Sequence, residues 1–235
     1  MTDGTPLGRR IVLGMLGLGS AGVLTGRWLQ EGEQHVLSGV QSRDPTGLSQ
    51  LVPDGGGFRF YSVTDSVPNR SAADYRLTVT GMVERPAALS IVDLGRLRQT
   101  ALVRDFQCVT GWRVPSVHWS GVSLTDLLNH VGVTDGASAL RFSSFDGTYT
   151  ESLTLAEARR SDVIVATAML GAPVTHAHGG PVRLYVAPMY GYKSIKWLDR
   201  IELTNHVQPG YWENLGYDVD AWIGRSNGRD DAPVS

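Results

Sequence analysis

From Phe58 onward the apolar residues of this chain arrive in short runs, each bounded by Gly, Pro or a small polar residue, and that texture restricts it to a strand-rich fold. Tyr75, Leu77 and Val79 alternate with Arg76, Thr78 and Thr80 up to Gly81, the period of a strand with one face buried. Val163 to Met169 and Val182 to Val186 are apolar, β-branched runs of strand length. Arg200 to Thr204 alternates again, and Pro188 and Gly191 break the chain before it. One segment has helical spacing instead: Leu124, Leu127, Leu128 and Val131 follow Ser123, with Asp126 three residues after that cap and Gly132 closing the segment. The pattern predicts an α+β fold dominated by strands, with short helices.

Ahead of this region, Gly8-Arg9-Arg10 precedes an uncharged stretch from Ile11 to Gly26, rich in Gly and Leu, before Arg27 restores charge. The stretch is shorter than the about 20 residues of a full bilayer span, and paired arginines before a mildly apolar, glycine-rich run are the layout of a twin-arginine export signal. Residues 1–30 are expected to be that signal or an N-terminal anchor, with no Ala-x-Ala site to mark cleavage. The expected destination is the periplasm or the cell surface. Proteins exported by this route fold first, as a protein must when its cofactor is inserted in the cytoplasm. Residues 31–57, ending in Asp54-Gly55-Gly56-Gly57, read as a linker or wrapping arm, residues 58–224 as one domain, and residues 225–235 as a disordered polar tail. Hydrophobic content of 42%, charged content of 19% and a net charge of −2 exclude the strong basicity of a nucleic-acid binder. Any anion site must therefore be a local cluster.

Two such clusters stand out. A single cysteine, Cys108, rules out an internal disulfide and multi-cysteine metal patterns, which leaves a buried filler or a reactive or ligating thiol. It lies in Asp105-Phe106-Gln107-Cys108-Val109-Thr110-Gly111-Trp112-Arg113, followed by His118-Trp119-Ser120-Gly121; Arg104 and Arg113 supply positive charge that favours a soft thiolate, suited to a transition metal. The second cluster is His176-Ala177-His178-Gly179-Gly180-Pro181-Val182-Arg183, then Tyr192-Lys193-Ser194-Ile195-Lys196-Trp197-Leu198. A glycine-bearing turn with Arg183, Lys193 and Lys196 can hold a phosphate through amides and charge-assisted hydrogen bonds, or be a solvated surface loop. His176 and His178 have no evident third partner for zinc or copper.

The residues from His178 to Arg183, with Lys196-Trp197-Leu198, resemble the pterin-binding signature of sulfite oxidases and plant nitrate reductases. Cys108-Val109 with Trp112, then Trp119-Ser120-Gly121 and the leucine-rich helix, is similar to the exported bacterial methionine-sulfoxide reductase branch of that family. The resemblance spans about Phe58 to Leu203. It implies a sulfite-oxidase-like molybdopterin-binding fold of mixed sheets, and a molybdenum–molybdopterin cofactor with Cys108 as the metal's thiolate ligand and catalytic centre. It further implies contacts to the pterin and its phosphate from His178, Arg183, Ser194, Ile195 and Lys196, the last three partly through backbone. Tyr61, Ser62 and Ser144 match further cofactor-touching positions. Thr110 replaces an acidic residue of the sulfoxide reductases, while Arg113 matches an arginine that attracts the anionic substrate of sulfite oxidases. The implied substrate is therefore a small sulfur compound, sulfite-like or a sulfoxide. The implied electron-transfer partner is a membrane haem protein or a soluble cytochrome. A cofactor-free scaffold that retains the fold is the alternative from another class.

Overall fold

Strands take up the positions that alternation predicts. In the computed structural model, which describes residues 58, 62–64 and 67–234, β1 is Leu77–Gly81, β7 Val163–Met169, β9 Arg183–Val186 and β10 Leu198–Thr204. The expected export signal and arm, and Tyr61, lie outside the described residues. By internal contacts the chain divides into Met1–Phe60 and Tyr61–Ser235, and every element named belongs to the second unit.

One mixed sheet of five strands has the order β2-β1-β10-β5-β6, with β2 Ala87–Leu89, β5 Ala139–Ser144 and β6 Thr150–Thr154. Its β1 and β10 run parallel, Val79 beside Ile201, and its other pairings are antiparallel. The second sheet has the order β3-β4-β7-β8, with β9 also paired to β7. It is built on a long hairpin, β3 Gln99–Gln107 and β4 Arg113–Ser123, with β8 only Ala172–Pro173. Leu77, Val79, Phe142, Ile201 and Leu203 of the first sheet and Val122, Val163, Val165, Leu184 and Val186 of the second join one apolar core.

Helix α2, Leu124–Val131, completes that core with Leu124, Leu127, Leu128 and Val131 fully buried, each contributing roughly 1.5–3 kcal/mol. Its start is fixed as the sequence predicts: the Ser123 hydroxyl accepts from the Asp126 amide at 3.0 Å and donates to the Asp126 carboxylate at 2.7 Å. Gly132, at φ +71°, ends it. Ser123→Ala is expected to lower unfolding free energy by about 1 kcal/mol, as read by urea denaturation. Two further helices escape the sequence reading: α1, Ile91–Arg96, with a reciprocal Ser90–Asp93 capping box, and the single turn α3, Leu155–Ala158, capped in the same way by Thr154 and Glu157.

The polar tail is not a free end. The Tyr190 hydroxyl donates to Asp231 at 2.8 Å, and Arg113 donates to the Ala232 and Pro233 carbonyls, so residues 231–233 are tied to the sheet region that carries Cys108. Polar composition there reflects main-chain and carboxylate anchoring rather than disorder.

Candidate cofactor and metal site

Cys108 opens the five-residue connection between β3 and β4, directly after the last ladder pair, Gln107 with Arg113. The turn is closed by main-chain bonds, Cys108 N–H to the Trp112 carbonyl at 2.9 Å and Gly111 N–H to the Cys108 carbonyl at 3.0 Å, with Gly111 at φ +101°. Cys108 is half-buried and its sulfur lies 3.2 Å from the Thr110 hydroxyl, a direct neighbour of the thiol. The filler reading of Cys108 does not fit this place at a hairpin tip.

Arg113 is held at the base of the same turn. Its Nε donates to Gln107 at 2.6 Å and its Nη1 reaches Asp105 at 3.4 Å, while Asp105 also accepts from the Ser116 amide at 2.9 Å. Arg113 therefore balances a buried carboxylate. Arg104 lines a separate cleft of about 360 Å³ with Arg160, Asp162, Trp222 and Arg225. It stands four residues before Cys108 on an extended strand, about 13 Å away along the chain. Neither arginine has a hydrogen bond to the thiol among the described residues.

The second cluster folds back towards the first. Phe106, two residues before the cysteine, stacks on Trp112 with ring centroids 5.6 Å apart, and Trp119 of β4 stacks on Tyr185 of β9 at 4.1 Å. The Arg183 guanidinium lies over Phe106 at 5.6 Å and over Trp119 at 5.3 Å. The Tyr185 hydroxyl donates to the Asp105 carbonyl at 2.7 Å. Aromatic residues thus bring together two motifs whose key residues are 75 positions apart in the chain.

Around Arg183 the loop is stitched to the segment that follows β9. Leu184 N–H donates to the Ile195 carbonyl, Trp197 N–H to Gly179 and Leu198 N–H to Val182, all within 3.0 Å. The Val186 amide donates to the Ser194 hydroxyl. Gly179, at φ +98°, lies so close to Lys196 that a Cβ would stand 2.6 Å from the lysine's own, and a Cβ on Gly180 would stand 2.0 Å from the Val174 carbonyl oxygen. Side chains are excluded at both glycines, which lets the turn after His178 pack directly on Lys196 and on the Val174 backbone. Lys196 is half-buried, donates to the Ala177 carbonyl at 3.3 Å and lies over the Trp197 ring. The amides of Ser194 and Ile195 donate within the turn, to Gly191 and Lys193. Ser144 pairs with Leu198 across β5 and β10, and its hydroxyl accepts from Asp146 N–H. Ser62 caps a small turn to Thr64.

Arg183 tests whether these residues fit an anionic cofactor. It is 2% exposed, and its guanidinium donates to the His178 carbonyl at 2.8 Å and the Ser194 carbonyl at 2.9 Å. Among the described residues no carboxylate pairs with it. Burial pulls its pKa down to about 10, so it is still cationic at neutral pH, at a cost that a bound anion offsets. The fit is good. Among the described residues no three of His, Cys, Asp or Glu gather to hold a metal ion.

Lys193 does not share this role, contrary to the reading of three phosphate-facing cations. Its ammonium is buried and donates to Glu151 at 3.0 Å, to the Ser152 carbonyl at 3.1 Å and to Glu213. The partners lie 42 and 20 residues away in the chain, so no local spacing reveals them.

Comparisons with known proteins place the chain in a family. Residues 64–212 match the family model described as the oxidoreductase molybdopterin binding domain. The chain is 33% identical over 150 residues to the uncharacterized oxidoreductase YuiH of Bacillus subtilis, covering 63% of this chain and 75% of that one. It is 31% identical over 188 residues to the putative protein-methionine-sulfoxide reductase subunit YedZ1 of Azospira oryzae, covering 78% and 70%. Among solved structures, the sulfane dehydrogenase SoxCD of Paracoccus pantotrophus superposes with a TM-score of 0.55 at 23% identity, over 61% of this chain and 41% of that chain, a likeness of fold. The strand-rich fold, the buried cation of the glycine turn and the match over most of the domain lead to one assignment: this chain belongs to the molybdopterin-binding oxidoreductase family and is an enzyme built for a molybdenum–molybdopterin cofactor.

Proposed function

We propose that this oxidoreductase moves an oxygen atom at a sulfur centre, with Cys108 as the protein ligand of molybdenum and the His178–Arg183 turn, with Lys196, as the cradle of the pterin phosphate. The observation that carries the reading is Arg183, a buried cation with no carboxylate among the described residues, set beside the aromatic residues that flank Cys108. When bound, the cofactor supplies a two-electron redox change and the oxygen-accepting metal. The chain's own residues do the rest. The hairpin turn presents the Cys108 sulfur, the Thr110 hydroxyl faces it at 3.2 Å, and Arg183 and Lys196 provide positive charge. Ser194 and Ile195 shape the turn, and Tyr61, Ser62 and Ser144 are proposed as outer contacts.

Reduction of a sulfoxide consumes two electrons and two protons and yields a thioether and water. Oxidation of sulfite takes oxygen from water and releases two electrons and two protons. Either direction requires an electron-transfer partner, which we take to be a haem protein, membrane-bound or a soluble cytochrome. Residues 1–30 are proposed to direct export by the twin-arginine route, and their apolar stretch, residues 11–26, is proposed as an anchor if uncleaved.

Molybdenum analysis of protein exported from its native host, with sulfite-oxidation and sulfoxide-reduction assays on the same preparation, tests the reading. About one molybdenum per chain and one of the two activities are expected; absence of metal would leave a scaffold that retains the fold. Arg183→Met sharpens the test. Replacing Arg183 with an apolar side chain of similar length relieves the desolvation of a buried charge and forfeits two hydrogen bonds to carbonyls, opposing effects that are expected to leave the cofactor-free protein within about 2 kcal/mol of the native chain. The same change removes charge-assisted bonds to the phosphate, and retained molybdenum should fall about tenfold or more. A large loss of stability in the cofactor-free variant would instead make Arg183 a structural cation.

A further inference from the structure

The segment from Ser226 to Val234 crosses the tip of the hairpin that carries Cys108. Ser226 is buried, and Asn227 is clasped by Asp218, the Asp218 amide donating to the Asn227 side chain at 3.0 Å. Asp231 accepts from the Tyr190 hydroxyl at 2.8 Å and from Arg229 Nε at 2.6 Å. The Arg229 guanidinium lies against Gly111 in the Cys108 turn, 2.9 Å from where a Cβ would stand. Beyond Asp231, the carbonyls of Ala232 and Pro233 accept from the Arg113 guanidinium.

Arg113 has five N–H donors and one positive charge. Gln107, Asp105, Ala232 and Pro233 accept from it, and Asp105 balances the charge. An oxyanion arriving beside Cys108 meets two guanidiniums that are already engaged: Arg113, balanced by Asp105, and Arg229, paired with Asp231. An uncharged sulfoxide is not penalised by this arrangement. We propose that residues 229–233 are a specificity element: they occupy Arg113 with the chain's own carbonyls, and so select a neutral sulfoxide over a sulfite-like anion at the Cys108 site. This inference rests on the proposed function for its substrate class but not for its geometry.

The lone cysteine makes a direct test possible, because thiol labelling reports the approach of a charged or neutral molecule to Cys108 without any cofactor. Cofactor-free protein is treated with a neutral methanethiosulfonate and with its sulfonate-bearing, anionic counterpart, and the rate ratio is compared with that of a chain lacking residues 229–235. Deletion is expected to raise the relative rate of the anionic reagent about tenfold, the worth of freeing one charge-assisted hydrogen bond. Arg113→Ala in the deletion background should abolish the gain. Asp231→Ala, which loosens the anchor without shortening the chain, should shift the ratio in the same direction and carries the test if the deletion fails to fold. In the holoenzyme, with a reduced viologen dye as donor, sulfate should become a better inhibitor of sulfoxide reduction by a similar factor. An unchanged labelling ratio in both the deletion and Asp231→Ala, or a gain that survives Arg113→Ala, would overturn the proposal. Absence of molybdenum with the expected labelling shift would overturn only the proposed function.

Discussion

Replacing Cys108 with serine is expected to yield a folded protein whose metal site is perturbed or empty. The turn is closed by amides and carbonyls of Cys108, Gly111 and Trp112, which the substitution leaves in place, so unfolding free energy should change by no more than about 1 kcal/mol. A serine hydroxyl is a hard donor that stays protonated at neutral pH, a poor exchange for a soft thiolate at molybdenum. Activity should fall by more than the roughly 10–100-fold that loss of a supporting contact costs at a metal site. Metal content, the metal's spectrum and turnover, measured together, decide the matter. Full activity with an unchanged spectrum would remove Cys108 from the coordination sphere.

Lys193→Met is expected to have the largest effect on stability. It would leave Glu151 and Glu213 buried side by side without their cation, and breaking a buried ion pair from one side costs about 3–5 kcal/mol. The cluster holds two acids and one base, and the Glu151 Oε1 makes no hydrogen bond among the described residues. Burial pushes the Glu151 carboxyl well above the usual carboxylate range, against the opposing pull of Lys193 and with Glu213 adding to the rise. The sign follows from the raised value: the folded chain keeps a proton that the unfolded chain releases. The stability this contributes is complete below the ordinary carboxylate pKa and is lost as pH rises through the folded value. Glu151→Gln removes the proton requirement and keeps Lys193 paired with Glu213. Its stability relative to the native chain should improve steadily with pH above the ordinary carboxylate range. Denaturant unfolding of the three proteins across that range is the check. A Lys193→Met variant within about 1 kcal/mol of the native chain at pH 8 would show that the carboxylates are solvated.

The parts of the fold that were legible in the sequence are those where one face is buried and the other is not. Leu77 and Val79 in β1 and the leucines of α2 carry a clean period and lie in the core, whereas β7 was legible as an unbroken apolar run, Val163 to Ala166 being buried on both faces. The hairpin strand β3 hid because it is a sheet edge whose period does not sort polar from apolar: Ala101 and Val103 point outward with Gln99, while Thr100 and Arg104 are half-buried with Leu102. At the site, the glycine turn and Arg183 stood out only through their resemblance to a pterin-binding signature, and the close packing at Gly179 and Gly180 gives a physical reason for the glycines in it. The capture of Lys193 by two distant glutamates was not legible, since only tertiary packing joins them. Nor was the engagement of Arg113, because its partners Ala232 and Pro233 act through carbonyl oxygens that every residue possesses.

The hairpin tip also bears on the order of maturation. The sulfur's position is set by main-chain hydrogen bonds and by the pairing of Gln107 with Arg113, none of which needs a metal. As the proposed ligand, Cys108 is preorganised: the polypeptide can complete its folding and receive the cofactor afterwards, without rewinding the turn. Loading then costs little conformational entropy at the ligand itself.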